Sequence, residues 1–249
     1  MRRVALLVAC VGATVMASCG AGERGSTELQ VFAASSLEGF LSEWAPDLEE
    51  ELDIRLAMSF ASSAVVARQV VEGAPADVLI TADRESMQVA AAAGAVGPRT
   101  VVARNRLALV VRDGNPARID SVADLRRRDL KLVLCDPDVP CGRLASALLN
   151  RVGVTVSPDS LEENVAAAVG KVALGEADAT IAYGSDVAGE RRDIDEVPLP
   201  EANQRVLEAV YPAAVVRRAA RRAAAQTFID LLASPEGVEA FQRAGFLAP

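Results

Sequence analysis

The stretches VFAASSLEGF (residues 31–40) and SFASSAVVARQ (residues 59–69) follow one pattern, and this pattern decides the fold. In each, a short apolar run ends, two serines follow, and a segment with apolar residues at helical spacing begins. Such corners join a strand to a helix in α/β proteins, whose ligands bind beyond the carboxyl ends of strands, where helix N-termini point. The serine pairs therefore lie where we expect a binding site.

The remainder of the chain repeats this alternation. Further apolar runs of strand length, each near a segment with helical spacing, are ADVLIT, RLALVVR, LKLVLCD, ADATIAYG and VYPAAVV. The alternation predicts an α/β architecture with largely parallel sheets. Apolar residues from Leu37 to Leu48 predict a first helix that Pro46 kinks or shortens.

The chain has 249 residues, and 51% of them are hydrophobic. This is enough for a sizeable core in one or two domains.

The first residues resemble an export signal. Arg2 and Arg3 precede an uncharged apolar run over residues 4–17, which is shorter than the roughly 20 residues that a membrane-spanning helix needs. The following MASC is similar to a lipobox, so we expect residues 1–18 to be a lipoprotein signal peptide and Cys19 to carry lipid. A plain secretory signal with an incidental cysteine is the alternative. Residues 19–27 are small and polar and predict a flexible tether.

The composition excludes several classes of function. The chain contains no histidine, which excludes Ser-His-Asp catalysis, Cys-His catalysis and histidine metal ligands. The formal net charge is −8, and removal of the signal with its two arginines makes the charge more negative. Nucleic acid and anionic lipid are therefore not expected partners. We predict no site for a metal cation.

Two cysteines, Cys135 and Cys141, remain in the expected mature chain once Cys19 carries lipid. An even pair in an oxidising compartment is expected to form a disulfide. Their spacing differs from C-x-x-C, which favours a structural bridge over thiol redox chemistry.

A serine at a helix start can play two roles. Its hydroxyl can cap the helix by accepting from an unpaired backbone N–H, which typically stabilises the helix by about 1 kcal/mol. In a pair, one hydroxyl can cap while the other donates to a ligand, near a helix N-terminus with an effective charge of about half a unit. Capping alone explains any single serine, whereas two pairs in equivalent contexts favour an anion site.

Four motifs in this order resemble those of the molybdate-binding proteins of bacterial ABC importers: VFAASSLEGF, SFASSAVVARQVVEGAPADVLITAD, DPDVPCG and IAYGSDV. The similarity covers residues 28–249, and FIDLLASPEGVEAFQRAGF resembles the closing helices of the wider class. The resemblance implies a two-lobed periplasmic-binding-protein-like α/β fold of type II, each lobe a mixed, mainly parallel sheet flanked by helices. Lobe I is expected at residues 28–106 plus 212–249 and lobe II at residues 107–211, with RLALVVR and VYPAAVV as the crossing strands of the hinge.

The resemblance also implies which residues bind the anion. Ser36 and Ser63 match serines that donate hydroxyl and backbone N–H bonds, and Tyr183 matches a phenol that reaches the ligand. Cys141 and Val165 match positions that donate a backbone N–H. The family often has alanine where this chain has Cys141, a departure that a main-chain donor tolerates. We expect the disulfide to fix the Cys141 amide toward the anion.

Other roles stay open for some of these positions. Tyr183 could be a half-buried strand aromatic and Val165 an ordinary core residue of a helix. Ser35 and Ser62 are left as additional candidate donors. Three aspartates are expected to be turn or capping residues rather than ligands: Asp77, Asp83 and Asp186.

The function implied by the resemblance is that of an exported, monomeric receptor, anchored by lipid on the extracytoplasmic or periplasmic face of the membrane. It is expected to capture molybdate, and also tungstate, and to deliver the anion to a permease driven by a cytoplasmic ATPase, without catalysis or a cofactor. The alternatives are a receptor for another tetrahedral oxyanion such as sulfate, an extracytoplasmic enzyme or thiol oxidoreductase, and an oxyanion sensor. The lack of histidine and of C-x-x-C, with Lys131 and Lys171 as the only lysines, argues against an enzyme.

Overall fold

The computed structural model describes residues 27–188, 193–200 and 207–249. The predicted signal peptide over residues 1–18 and the predicted lipidation site Cys19 lie outside the described residues. Residues 20–26 of the predicted tether also lie outside them. Thr27 is the first residue of the first strand. None of the helices in the three described ranges is both long enough and apolar enough to cross a membrane.

Strands and helices alternate along much of the described chain. The strands are β1 (Thr27–Ala34), β2 (Ile54–Ala61), β3 (Val78–Ile80), β4 (Val96–Arg112), β5 (Val133–Cys135), β6 (Ser160–Glu162), β7 (Ala179–Tyr183), β8 (Ile194–Val197) and β9 (Glu208–Val216).

The α-helices that the structure describes connect these strands or follow the last one. They are α1 (Glu38–Leu52), α2 (Ser63–Glu72), α3 (Arg84–Ala92), α4 (Pro140–Val152), α5 (Val165–Ala173), α6 (Gly184–Val187), α7 (Arg222–Leu232) and α8 (Pro235–Arg243). Two short 3-10 helices lie at Ser35–Leu37 and Val122–Arg126.

The first group of strands is parallel and places the two serine pairs side by side. β1 pairs in parallel with β2 and with β3. Apolar residues alternate along β1, and Leu29 and Val31 are fully buried in the core. Ala34 at the end of β1 lies beside Ala61 at the end of β2. The carboxyl ends of both strands, and the serines that follow them, therefore meet at one edge of the sheet.

Strand β4 joins this first group of strands to a second group. Its first part, from Val96 to Arg106, pairs antiparallel with β9, which also pairs antiparallel with β3. Its last part, from Leu107 to Arg112, pairs antiparallel with β7 and β8. In the second group, β5 pairs in parallel with β6, and a single bridge links the segment before β5 to β7. The chain thus passes between the groups within one long strand, and β9 runs alongside it.

The predicted mixed α/β fold is confirmed, with two differences in detail. Every antiparallel pairing in the described residues involves β4 or β9, so antiparallel pairs are more frequent than strand–helix alternation suggests. The expectation that Pro46 shortens the first helix is wrong, because α1 continues to Leu52. Leu41 and Leu48, on either side of the proline, are fully buried, and their packing holds the helix together although Pro46 lacks an N–H.

Candidate functional site

The five predicted ligand residues line a single small cavity of about 10 Å³. The cavity lies at the carboxyl ends of β1, β2 and β7, where α2, α4, α5 and the first 3-10 helix begin. Its described lining residues are Ala34, Ser35, Ser36, Ser62, Ser63, Ala82, Val139, Pro140, Cys141, Asn164, Val165 and Tyr183. The fold therefore brings the predicted residues together from segments that are far apart in the sequence.

The two serine pairs occupy equivalent places beside the cavity. Ser36 is the second residue of the 3-10 helix after β1, and Ser63 is the first residue of α2 after β2. Neither helix receives a hydrogen bond from its N-cap side chain, so the capping role is wrong for both pairs. The first N-cap is Ala34, which has no hydroxyl, and the second is Ser62, which lines the cavity and makes no cap hydrogen bond.

The hydroxyls of Ser36 and Ser63 each form one hydrogen bond with another part of the fold. Ser63 Oγ accepts a hydrogen bond of 2.8 Å from the backbone N–H of Ala82. An amide N–H can only donate, so the hydroxyl proton of Ser63 stays available for another acceptor. Ser36 Oγ forms a hydrogen bond of 2.9 Å with the hydroxyl of Tyr211.

The start of α4 is held by a disulfide between Cys135 and Cys141, as predicted. The two Cα atoms are 5.8 Å apart, and the bridge ties the helix start to the end of β5. Because Pro140 has no N–H, Cys141 carries the first backbone donor of the helix. Gly142, in the first turn of α4, leaves room for the backbone of the segment after β5, since a Cβ at that position would lie 1.9 Å from the carbonyl oxygen of Asp136.

Val165 is the first residue of α5, the third long helix that begins at the cavity. The N-cap residue Asn164 accepts a hydrogen bond of 2.9 Å through Oδ1 from the backbone N–H of Ala167. The N–H groups earlier in the first turn, that of Val165 included, have no partner within the helix. The side chain of Val165 is buried in the core, so the residue combines a packing role with a backbone donor at the helix start.

Tyr183 ends β7, and its side chain is only 1% exposed. Its hydroxyl has no hydrogen-bond partner among the residues that the structure describes. A buried hydroxyl without a partner destabilises the fold by about 1–3 kcal/mol, so a lone phenol in a polar cavity wall indicates a ligand contact. Burial first, and then the nearby Tyr211 and Asp186, raise the pKa of Tyr183 well above its usual value. The phenol is therefore protonated at neutral pH and able to donate.

The three aspartates that we expected to be turn or capping residues do not line the small cavity. Asp83 caps α3, where its Oδ1 accepts a hydrogen bond of 2.8 Å from the N–H of Ser86. Asp186 accepts a hydrogen bond of 3.0 Å from the N–H of Tyr183 at the start of α6. Asp77 is buried and accepts from two backbone N–H groups on neighbouring segments. Each of the three carboxylates thus satisfies backbone donors of the fold.

An ion-pair cluster joins the two groups of strands beside the cavity. Arg143, in the first turn of α4, pairs with Asp83 and Glu85 at the start of α3, with a distance of 3.2 Å from its Nε to Glu85 Oε2. Helix α3 precedes β4, whereas α4 follows β5. The cluster therefore links helices that belong to different groups of strands, two residues beyond Cys141.

The cavity suits an anion although none of its described lining residues carries a formal charge. The starts of α2, α4 and α5 supply unpaired N–H donors and the partial positive charge of the helix dipole. The hydroxyls of Ser36, Ser63 and Tyr183 add further donors. Within the described ranges, no three cysteine, aspartate or glutamate side chains come close enough to hold a metal cation.

A second cavity, of about 960 Å³, opens beside Ser35 and Ser36. It lies between α1 and helices α5, α6 and α8. Its charged lining residues are Glu38, Glu43, Asp47, Asp186 and Arg243. The excess of carboxylates disfavours an anion in this cavity. Trp44, the single tryptophan of the chain, lines the same cavity as Ser36.

Sequence reasoning missed Tyr211 and Asn105, which lie behind the cavity. Tyr211 belongs to β9 and Asn105 to β4, and both are fully buried. Asn105 Nδ2 lies 3.4 Å from Tyr211 Oη, whose other partner is Ser36. One signal could have found Tyr211, since it is one of only two tyrosines in the chain and lies in a predicted crossing strand.

Residues 29–247 match the family model described as bacterial extracellular solute-binding protein. The chain is 35% identical to the molybdate-binding protein ModA of Mycobacterium tuberculosis over 249 residues, which cover 99% of this chain and 94% of the relative. It is 33% identical to the molybdate-binding protein ModA of Escherichia coli, with 88% of each chain covered. The structure of the Azotobacter vinelandii periplasmic molybdate-binding protein has the same fold, with a TM-score of 0.77, 23% identity, and coverage of 89% of this chain and 99% of that one.

We predict that neither tyrosine ionises before the protein unfolds. Burial raises the pKa of both Tyr183 and Tyr211 above the value near 10 of an exposed tyrosine. The unfolded chain loses these protons from about pH 10 upward while the folded protein keeps them, so the free energy of unfolding falls as the pH rises above about 10. Tyrosinate absorbance should therefore appear only together with loss of the circular dichroism signal.

The chain contains only these two tyrosines, which makes the titration specific. Tyr183→Phe and Tyr211→Phe should each remove about half of the absorbance step. Tyrosinate absorbance from a fully folded protein near pH 10 would contradict the burial of both phenols.

Proposed function

The chain belongs to the bacterial extracellular solute-binding protein family, and on this basis we propose that it is the molybdate receptor of an ABC importer. It captures molybdate outside the membrane and delivers it to a permease driven by an ATPase. One observation carries the proposal: a cavity at the starts of three long helices offers donors that are all uncharged. Molybdate is the cargo here, and the protein performs no catalysis and uses no cofactor.

Molybdate is a dianion, and it leaves its water behind when it enters such a cavity. An unpaired dianion inside a protein would cost tens of kcal/mol by simple Born solvation, so each of its oxygens needs donors. If about six charge-assisted bonds form, each contributing roughly 1.5–3 kcal/mol, the gross gain is on the order of 9–18 kcal/mol. Association and ordering offset roughly 4–15 kcal/mol of this gain, which leaves room for micromolar to nanomolar binding.

Protonation and size decide which tetrahedral anion fits. Phosphate near neutral pH keeps a proton and requires an acceptor, which a cavity of donors does not offer. Molybdate, tungstate and sulfate are fully deprotonated at the same pH. Sulfate is the smallest of the three, so its hydrogen bonds would be long in a cavity that fits molybdate, whereas tungstate nearly matches molybdate in size.

Residues 28–106 plus 212–249 form lobe I of the receptor, and residues 107–211 form lobe II. This division is supported by β4, whose partner changes from β9 to β7 between Arg106 and Leu107. The ion pairs of Arg143 with Asp83 and Glu85 then hold the lobes together in the closed form. The cavity is lined by residues of both proposed lobes, so the lobes separate to admit the anion and close around it.

The receptor is exported as a monomer and anchored to the membrane by lipid on Cys19. The family description supports export, and the anchor rests on the motif MASC at residues 16–19. Replacing this cysteine, Cys19→Ala, should move the protein from the membrane fraction to a soluble extracytoplasmic fraction without changing its affinity for molybdate. A Cys19→Ala protein that stays in the membrane fraction would contradict the lipid anchor.

Titration calorimetry on the purified protein without its signal peptide tests the proposed ligand. We expect molybdate and tungstate to bind with micromolar or lower Kd, sulfate to bind more weakly, and phosphate to bind most weakly. Tighter binding of sulfate than of molybdate would make the chain a sulfate receptor. An absence of heat with all four anions, and of any rise in Tm, would contradict the anion-receptor function itself.

Removing one serine hydroxyl tests the assignment of the site. Ser36→Ala and Ser63→Ala should each weaken molybdate binding by about 1–3 kcal/mol, or roughly 5- to 150-fold in Kd, because each leaves an anion oxygen short of a donor. Ser42→Ala removes an exposed serine hydroxyl of α1 and is the matched control, with an unchanged Kd. Calorimetry or Trp44 fluorescence measures the effect, and unchanged affinity in both Ser36→Ala and Ser63→Ala would refute the assignment.

A further inference from the structure

The proposed selectivity requires serine hydroxyls that donate to the anion, but a hydroxyl can donate one hydrogen bond and also accept others. For Ser63 the backbone N–H of Ala82 settles the direction, because this N–H must donate to Oγ. For Ser36 the partner is a second hydroxyl, that of Tyr211, at 2.9 Å, and either oxygen can be the donor. The direction of this one hydrogen bond decides whether the proton of Ser36 reaches the cavity.

The side chain of Asn105 fixes the direction. The backbone N–H of Ser185 donates to Asn105 Oδ1 over 3.3 Å, which identifies the oxygen of the amide group. The nitrogen at the other end, Nδ2, lies 2.7 Å from Ser185 Oγ and 3.4 Å from Tyr211 Oη. An amide NH₂ group has no acceptor lone pair, so Tyr211 accepts at this contact.

The proton of Tyr211 then has one hydrogen-bond acceptor among the described contacts, Ser36 Oγ. Tyr211 and Asn105 are both fully buried, so bulk water does not compete for these groups. The ring of Tyr211 packs edge-on against Phe246 with centroids 5.5 Å apart, which holds the phenol in place. With its oxygen accepting from Tyr211, Ser36 keeps its own proton for the cavity.

We infer that Tyr211 is a positioning residue for anion selection, which donates to Ser36 Oγ under the control of Asn105 and so makes the Ser36 hydroxyl a donor toward the ligand. The inference rests on the proposed molybdate-binding function. Tyr211 and Asn105 lie on β9 and β4, the strands that join the lobes, so the donor state of Ser36 is set at the hinge. Without Tyr211, Ser36 is free to rotate and to accept the proton of hydrogen phosphate.

A double-mutant cycle tests whether Tyr211 acts through Ser36. Tyr211→Phe keeps the ring and its packing but removes the hydroxyl, and it should raise the Kd for molybdate about tenfold in the wild-type background. The same change in the Ser36→Ala background should alter Kd less than about twofold, because the group that Tyr211 orients is gone. Thr180→Val removes another fully buried hydroxyl, one that does not line the cavity, and serves as the control with unchanged Kd.

Competition with phosphate at pH 7 tests the direction of the hydrogen bond. If Tyr211 had a purely structural role, its removal would not increase the affinity for phosphate. The Kd for phosphate, obtained from competition after correction for the molybdate Kd of each variant, should be lower for Tyr211→Phe than for the wild type. Equal loss of molybdate affinity in both backgrounds, or no gain in the affinity for phosphate, overturns the inference.

If Tyr211→Phe does not fold, Asn105→Ala replaces it in the same double-mutant cycle. Asn105→Ala should weaken molybdate binding less than Tyr211→Phe does, and it should have no effect on Kd in the Ser36→Ala background. A wild-type protein that binds no molybdate would refute the proposed function instead, so the two failures are distinguishable.

Discussion

An anion that leaves water without meeting a countercharge must find a hydrogen-bond donor for each of its oxygens. The small cavity offers main-chain amides and hydroxyls rather than lysine or arginine, since none of the described residues lining it is charged. Parallel strands bring helix starts to one sheet edge, and helix starts are where backbone donors remain unpaired. The register of β1 with β2 sets Ala34 beside Ala61. This register therefore places the two serine pairs next to each other at one edge of the sheet.

The crossing strands contribute more than a connection between lobes. β4 and β9 carry Asn105 and Tyr211, and these side chains reach the back of the cavity through hydrogen bonds that end at Ser36. On the opposite wall, the disulfide holds the first backbone donor of α4, and Arg143 in the same turn pairs with α3. The ion pairs between α4 and α3 thus lie near the helix start that carries a backbone donor, so closure and recognition are expected to depend on each other.

Much of this could be read from the sequence because the informative features are local. Apolar runs that alternate with helical spacing predict α/β architecture, and the double serines mark the helix starts that line the cavity. The resemblance of four motifs to one family located Ser36, Ser63, Cys141, Val165 and Tyr183, which the fold brings to one place. The short spacing of Cys135 and Cys141 likewise predicted a disulfide that is present.

What the sequence did not reveal depends on long-range contacts. The serines do not cap their helices. Instead, Ser36 bonds to Tyr211, which lies 175 residues away, and Ser63 bonds to the amide of Ala82. The antiparallel pairing of β4 and β9 arises from segments that are far apart in the chain, and no local pattern encodes it. Helix α1 continues through Pro46 because buried leucines on both sides hold it to the core. Tertiary packing overrides local propensity in each case.

The central claim is that uncharged donors at the starts of helices from both lobes replace the water around a tetrahedral dianion. X-ray diffraction from crystals grown with molybdate, recorded at the molybdenum absorption edge, tests this claim most directly. We expect one anomalous peak between Ser36, Ser63, Cys141, Val165 and Tyr183, with oxygens about 2.7–3.2 Å from their hydroxyl and backbone donors. A peak beside an arginine or lysine side chain, or an empty cavity in crystals saturated with molybdate, would contradict the claim.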